Sequence, residues 1–140
     1  MKQSISILVL LFFQLSFSQT VFGKWKTIDD ETGKEKGMVE IYEHKGKVYG
    51  KIIEIFEQEH RHQKCEKCEG EDKNKPILGL VIIKGLTKNE DTYDGGKIVD
   101  PKNGKKYHCK ITLDGKEKLI VRGYIGIPLF GRSQTWIRQK

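Results

Sequence analysis

The sequence predicts a small all-β protein, a single antiparallel up-and-down β-barrel of about eight or nine strands. Three observations predict it. Apolar and polar residues alternate through most of the chain after residue 18, no stretch there carries the 3.6-residue period of a helix, and turn signals recur about every 8 to 12 residues. Consecutive hairpins need no crossover helix, and closure into a barrel removes the exposed edges of a flat sheet.

Residues 1–18 read as a secretory signal peptide: a positive start at Met1-Lys2, an apolar run from Ile5 to Leu15, and the small-residue ending Ser16-Phe17-Ser18. The run is shorter than the roughly 20 apolar residues of a membrane span. The expectation is cleavage near Ser18 and a secreted or periplasmic protein. Residues 19–140 are then enough for one barrel domain with one core.

The elements follow in order. Gln19 to Ile28 is a first strand, with Val21, Trp25 and Thr27 on one face; Asp29 to Gly33 turns it. Gly37 to Glu43 is the second strand, His44 to Lys47 the next turn, and Val48 to Phe56 a third strand with apolar groups on both faces. Residues 57–76 break the rhythm with charges, two His and two Cys, and read as an insertion loop with room for one short helix. Leu78 to Leu86 resumes as a strand, and Thr87 to Glu90 reads as a turn. Tyr93 to Cys109 is a hairpin whose turn, Asp100-Pro101-Lys102-Asn103-Gly104, holds a turn-initiating Asp, a Pro that presets φ and an Asn-Gly pair. Gly95-Gly96 marks a bulge. Asp114-Gly115 turns into Leu119 to Ile125, and an apolar loop to Phe130, expected to fold back over the core, leads into the last strand, Gly131 to Arg138.

The formal charge is +7 over the whole chain, and residues 97–140 carry eleven basic against three acidic side chains. Such an end could meet anionic lipid, acidic glycan or nucleic acid. The lysines are scattered at alternating positions, as on solvent faces that resist edge pairing, and for a secreted chain nucleic acid is the least accessible partner.

Gly23-x-Trp25, Cys65-x-x-Cys68, Pro76-x-x-Gly79, Gly95-Gly96-x-Ile98-x-Asp100-Pro101, Gly104-Lys105-x-Tyr107, Arg122-Gly123-Tyr124 and Gly131-Arg132-x-Gln134-x-Trp136 occur in this order. In that ordered set the chain resembles the bacterial secreted family catalogued as domain of unknown function 2147, with Tyr93 standing where the family pattern carries Trp. The resemblance implies a lipocalin-like, or calycin, barrel and no established activity. It also implies that Trp25 packs across the closed barrel end against an Arg of the last strand, Arg138 or Arg132.

Candidate chemistry gathers in two places. His60, His62, Cys65 and Cys68 are four possible ligands within nine residues, so the loop fits either a local Cys65–Cys68 disulfide or a metal site such as zinc, with redox exchange a further reading. Cys109 lies on an apolar face, as a small buried thiol does. If the barrel is hollow, Tyr49, Tyr107, Arg122 and Tyr124 are the expected liners, with Arg132 and Trp136 offering cations and an indole to an amphipathic or carboxylate-bearing ligand. Sequence motifs for hydrolases, zinc proteases and phosphate loops are absent. The expectation is therefore a non-enzymatic binder of an apolar or amphipathic small molecule, with no cofactor. The alternatives are an envelope protein-interaction or membrane-surface module with a filled barrel, and a metal-binding protein using the His/Cys loop.

Overall fold

The computed structural model describes residues 20–140, so the expected signal peptide lies outside the described residues. Eight strands close in sequence order: β1 (Gly23–Ile28), β2 (Glu35–His44), β3 (Lys47–Ile55), β4 (Val81–Asn89), β5 (Thr92–Val99), β6 (Lys106–Asp114), β7 (Lys118–Tyr124) and β8 (Gly131–Arg138). All neighbours are antiparallel, and β1 pairs with β8 through Trp25↔Arg138 and Lys26↔Ile137 to complete the ring.

Strand alternation decides what faces inward. Trp25, Val39, Ile41, Val48, Ile83, Leu86, Cys109, Ile111, Leu119, Val121 and Trp136 are all buried and belong to one core cluster. The barrel is thus filled by aliphatic and indole side chains over most of its length. Cys109 is part of that filling, and burial pushes its thiol up to about 12.

One end is shut. Arg138 lies 4.2 Å above the Trp25 ring and donates to the carbonyls of Phe22 at 3.1 Å, Thr20 at 2.7 Å and Lys116 at 2.8 Å. Trp25 donates its indole N–H to Val21 O at 2.9 Å, which folds the chain before β1 under the barrel. The opposite end carries the β1–β2 turn, the insertion between β3 and β4, the β5–β6 turn and the β7–β8 loop.

Strand β4 differs from the sequence expectation at both ends, for local reasons. The segment Leu78–Leu80 is not strand, although Gly79 N donates to Ile52 O and Ile52 N to Leu80 O; Gly79 takes a φ of 92°, which interrupts extended geometry until Val81. Thr87 to Asn89, read as a turn, continues β4 by pairing with β5. The reversal falls one step later, at Glu90-Asp91, with Glu90 at φ 54°.

The β5–β6 turn forms as its residues dictate. Gly104 N donates to Asp100 O at 2.7 Å, and the Asp100 and Asn103 side chains accept from Lys102 N and Lys105 N, each at 2.9 Å. Gly104 has φ 71° and lies directly against the backbone of Lys67 and Cys68, so a Cβ there would strike the Lys67 carbonyl.

That contact shows where the insertion goes. It contains two short 3-10 turns, Gln58–His60 and Gly70–Asp72, and lies along the outside of the barrel. Ile82 and Val99 face outward by alternation yet are 7% and 4% exposed, because this segment covers them.

Candidate functional site

Two recesses among the described residues lie against the outer surface of the barrel. The first is a groove of about 420 Å³ between the insertion and the outer faces of β2, β3 and β4. Tyr42 and Tyr49, cross-strand partners on β2 and β3, stack with ring centroids 5.9 Å apart and make one wall. His44 meets Tyr49 edge-on at 6.2 Å. Pro76, Leu78 and Leu80 supply apolar surface from the insertion, and Glu71, Asp72, Lys75 and Lys84 supply charge.

Asp72 organises this polar side. It is the buried charged residue among the described positions, at 2% exposure. Its Oδ2 accepts from Lys84 Nζ at 2.6 Å and its Oδ1 lies 3.7 Å from Lys75 Nζ. A carboxylate this enclosed needs such partners, and the pairing fastens the insertion to β4. Both lysines also line the groove. Burial and the neighbouring Tyr49 and Glu40 raise the Tyr42 hydroxyl above its ordinary value, so it remains a protonated donor.

The second recess, about 110 Å³, is lined by Ile82, Lys84, Lys97, Val99 and Lys106 and lies beyond the insertion on the same outer surface.

The proposed barrel liners separate. Tyr49 points outward into the groove, because Val48 and Gly50 take the inner positions of β3, where Gly50 sits against Ile41 and Ile83. Arg122 and Tyr124 are also outside; Leu119 and Val121 are the inner residues of β7. Tyr124 stacks on His108 of β6 at 5.2 Å. Arg122 donates to Pro128 O, Leu129 O and Ser133 Oγ. The expectation of an internal charge at Arg122 is therefore corrected: both faces of β7 carry apolar residues, and the bulk of Leu119 and Val121 claims the core.

Tyr107, Arg132 and Trp136 do lie on the inner-facing register. Trp136 is fully packed, donating to Gln134 Oε1 at 3.1 Å. Tyr107 lies near the mouth beside Gly123 and Ile98, and Arg132 is at the rim, paired with Asp30 of the β1–β2 turn. Three residues at different depths of a packed interior do not make one site.

In the insertion, Cys65 and Cys68 are joined as a disulfide and both are buried. Cys65 Sγ sits 3.5 Å from Pro101 O in the β5–β6 turn. Cys65 N donates to Lys75 O and Asn74 N to Cys65 O, closing the loop on itself. His60 instead contacts Glu57 at 2.8 Å and Gln63 at 2.7 Å. The structure does not bring His60, His62, Cys65 and Cys68 together, and no group of three metal-ligating side chains converges among the described residues.

The β7–β8 loop does not fold back over the core as expected. Arg122 holds its carbonyls from the outer face of β7, and Ile125, Ile127, Leu129 and Phe130 are exposed.

The groove itself, with Asp72 and the docking of the insertion on Gly104, escaped sequence reasoning. A lone Asp in a polar run gives no sign that it will be buried, whereas Tyr42 and Tyr49, flanking a two-residue turn at mirror positions, could have been read as an outer aromatic pair.

Comparison with known proteins agrees with this architecture. The family model described as "Uncharacterized protein conserved in bacteria (DUF2147)" matches residues 23–138. No curated protein sequence matches the chain. Among solved structures the chain is similar to protein HP1028 from the human pathogen Helicobacter pylori, described as belonging to the lipocalin family. The two share 23% sequence identity with a TM-score of 0.77, over 88% of this chain and 85% of the other. At that identity the likeness concerns the fold.

Proposed function

Taking as premise that the chain belongs to the uncharacterised bacterial family DUF2147 and folds as a lipocalin-like barrel, we propose that it is a non-enzymatic binding protein for a small amphipathic molecule, held in the outer groove. The observation that carries this reading is the contrast between a barrel interior packed with Trp25, Ile83, Leu86, Ile111 and Leu119 and an external groove of about 420 Å³. That volume falls in the range of small-molecule sites, and a largely apolar lining with a few placed charges is their usual chemistry. An aromatic or aliphatic body would lie against Tyr42, Tyr49 and Leu78, and an anionic or hydrogen-bonding head would meet Lys75 and Lys84. The buried disulfide and the character of residues 1–18 support an oxidising, secreted or periplasmic setting.

Titration with anilinonaphthalene sulfonate, an anionic apolar dye, tests the site. Saturable binding to the native protein is expected, weakened about tenfold by the double variant Tyr49→Ala, Leu78→Asp, a loss typical of removing one stacking wall and adding a like charge. Tyr107→Ala, at the barrel mouth, should leave it unchanged. Binding that survives the groove variant, or that is lost with Tyr107→Ala, would overturn the assignment.

A further inference from the structure

The β7–β8 loop turns its largest apolar side chains to solvent: Ile125 is 67% exposed, Ile127 53%, Leu129 77% and Phe130 66%. Four such residues in one short loop form a patch that calls for a partner. The loop is not loose. Ile125 N donates to Phe130 O and Phe130 N to Ile127 O, each at 3.0 Å. From below, Arg122 reaches Pro128 O at 2.9 Å and Leu129 O at 3.5 Å while bonding Ser133 Oγ at 3.0 Å. A side chain expected inside the barrel is instead spent on holding an apolar tip outward.

The surface beside the tip is cationic. Lys97 of β5, Lys106 and Lys110 of β6 and Arg122 of β7 share the outer face, with Lys110 directly across the ladder from Arg122. None of the four forms an ion pair with a carboxylate among the described residues.

Apolar side chains presented at a tip with uncompensated cations behind them match an anionic phospholipid surface. The tip enters the acyl boundary, and the ammonium and guanidinium groups meet headgroup phosphates. A second copy of the chain is a poorer match, because its own formal charge of +7 would set like charges against each other. We propose that the β7–β8 loop and the cationic face beside it dock the protein on anionic phospholipid membrane. The docking face is separate from the groove, so the two proposals stand or fall independently.

Vesicle co-sedimentation tests it. The protein used is residues 19–140, since the apolar stretch at 5–15 would bind lipid by itself, and all eight strands of the barrel lie within this range. Binding to vesicles of phosphatidylglycerol mixed with phosphatidylcholine is expected to exceed binding to phosphatidylcholine alone by at least about tenfold, and to weaken with salt. Leu129→Asp with Phe130→Ser should lower affinity about tenfold or more while leaving the melting temperature and dye binding in the groove unchanged. Lys97→Gln with Lys110→Gln should lower affinity about tenfold and flatten the salt dependence. Equal binding to both vesicles, no binding to either, or undiminished binding by the loop variant overturns the proposal. A dimer that the loop variant dissolves would also overturn it, reassigning the tip to a second copy.

Discussion

Replacing Arg138 by Ala removes the one side chain that ties the segment before β1, the end of β8 and the β6–β7 turn into a single closure. The guanidinium lies 4.2 Å above the Trp25 ring and donates to three carbonyls. Its hydrogen bonds are not equal. The Phe22 carbonyl is partly buried and would lose a charge-assisted bond of about 1.5 kcal/mol. The Thr20 and Lys116 carbonyls are near solvent and can turn to water, so together they count for about 0.5 to 1 kcal/mol. The cation over the indole adds about 1 kcal/mol at this partial exposure. The expected loss is therefore about 3 kcal/mol. Arg138→Lys keeps the charge but cannot span three acceptors, so about half of that loss should remain. Trp25 and Trp136, the two tryptophans of the chain, are both buried, so intrinsic fluorescence in a urea titration reads the transition directly. A 3 kcal/mol loss should move the midpoint down by about 1 to 2 M at the slope usual for a domain of this size. If Arg138→Ala stays within about 0.5 kcal/mol of the parent protein, the closure is ornamental and the reasoning fails.

Two further predictions concern sulfur. Breaking the Cys65–Cys68 bond, at a sequence separation of 3, should cost roughly 2 kcal/mol on the loop-entropy scale; the Cys65→Ala, Cys68→Ala double variant should melt several degrees lower but keep the barrel's circular dichroism, and loss of the whole fold would refute the view that the insertion is an outer addition. Cys109 should resist thiol reagents in the native protein at pH 8 and react once in denaturant without reductant. Because its thiol is raised to about 12 against an ordinary 9.0, the folded state binds more protons in that interval, and its share of stability falls as pH rises from about 9 toward 12. Cys109→Ala should show a shallower decline over the same window in parallel melts, and an identical decline would refute the assignment.

The β5–β6 hairpin was legible because Asp100, Pro101, Asn103 and Gly104 act locally, through φ and side-chain capping. The inner face of β6 was legible for the same kind of reason, since Cys109 and Ile111 alternate with Lys106 and Lys110. On β7 the alternation has apolar residues on both sides, and only the filled volume of the closed barrel decides that Val121 goes in and Arg122 out. The insertion was legible as an interruption and as a cysteine loop, but not as a wall. Its position depends on Asp72 meeting Lys84 and on Lys67 meeting Gly104, contacts between segments with no sequence proximity and no shared period.

The apposition of Lys67 and Gly104 has a consequence for how the surface can change. The groove is bounded on one side by the insertion, and that segment rests at its far edge on a glycine where no other residue has room. A substitution at 104 would press on the Cys65–Cys68 loop, the same segment that Asp72 fastens to Lys84 and that carries Leu78 into the groove. Position 104 is therefore held to glycine whatever side chain position 67 carries, since every residue there presents the same carbonyl, and the shape of the groove depends on a hairpin tip that does not line it.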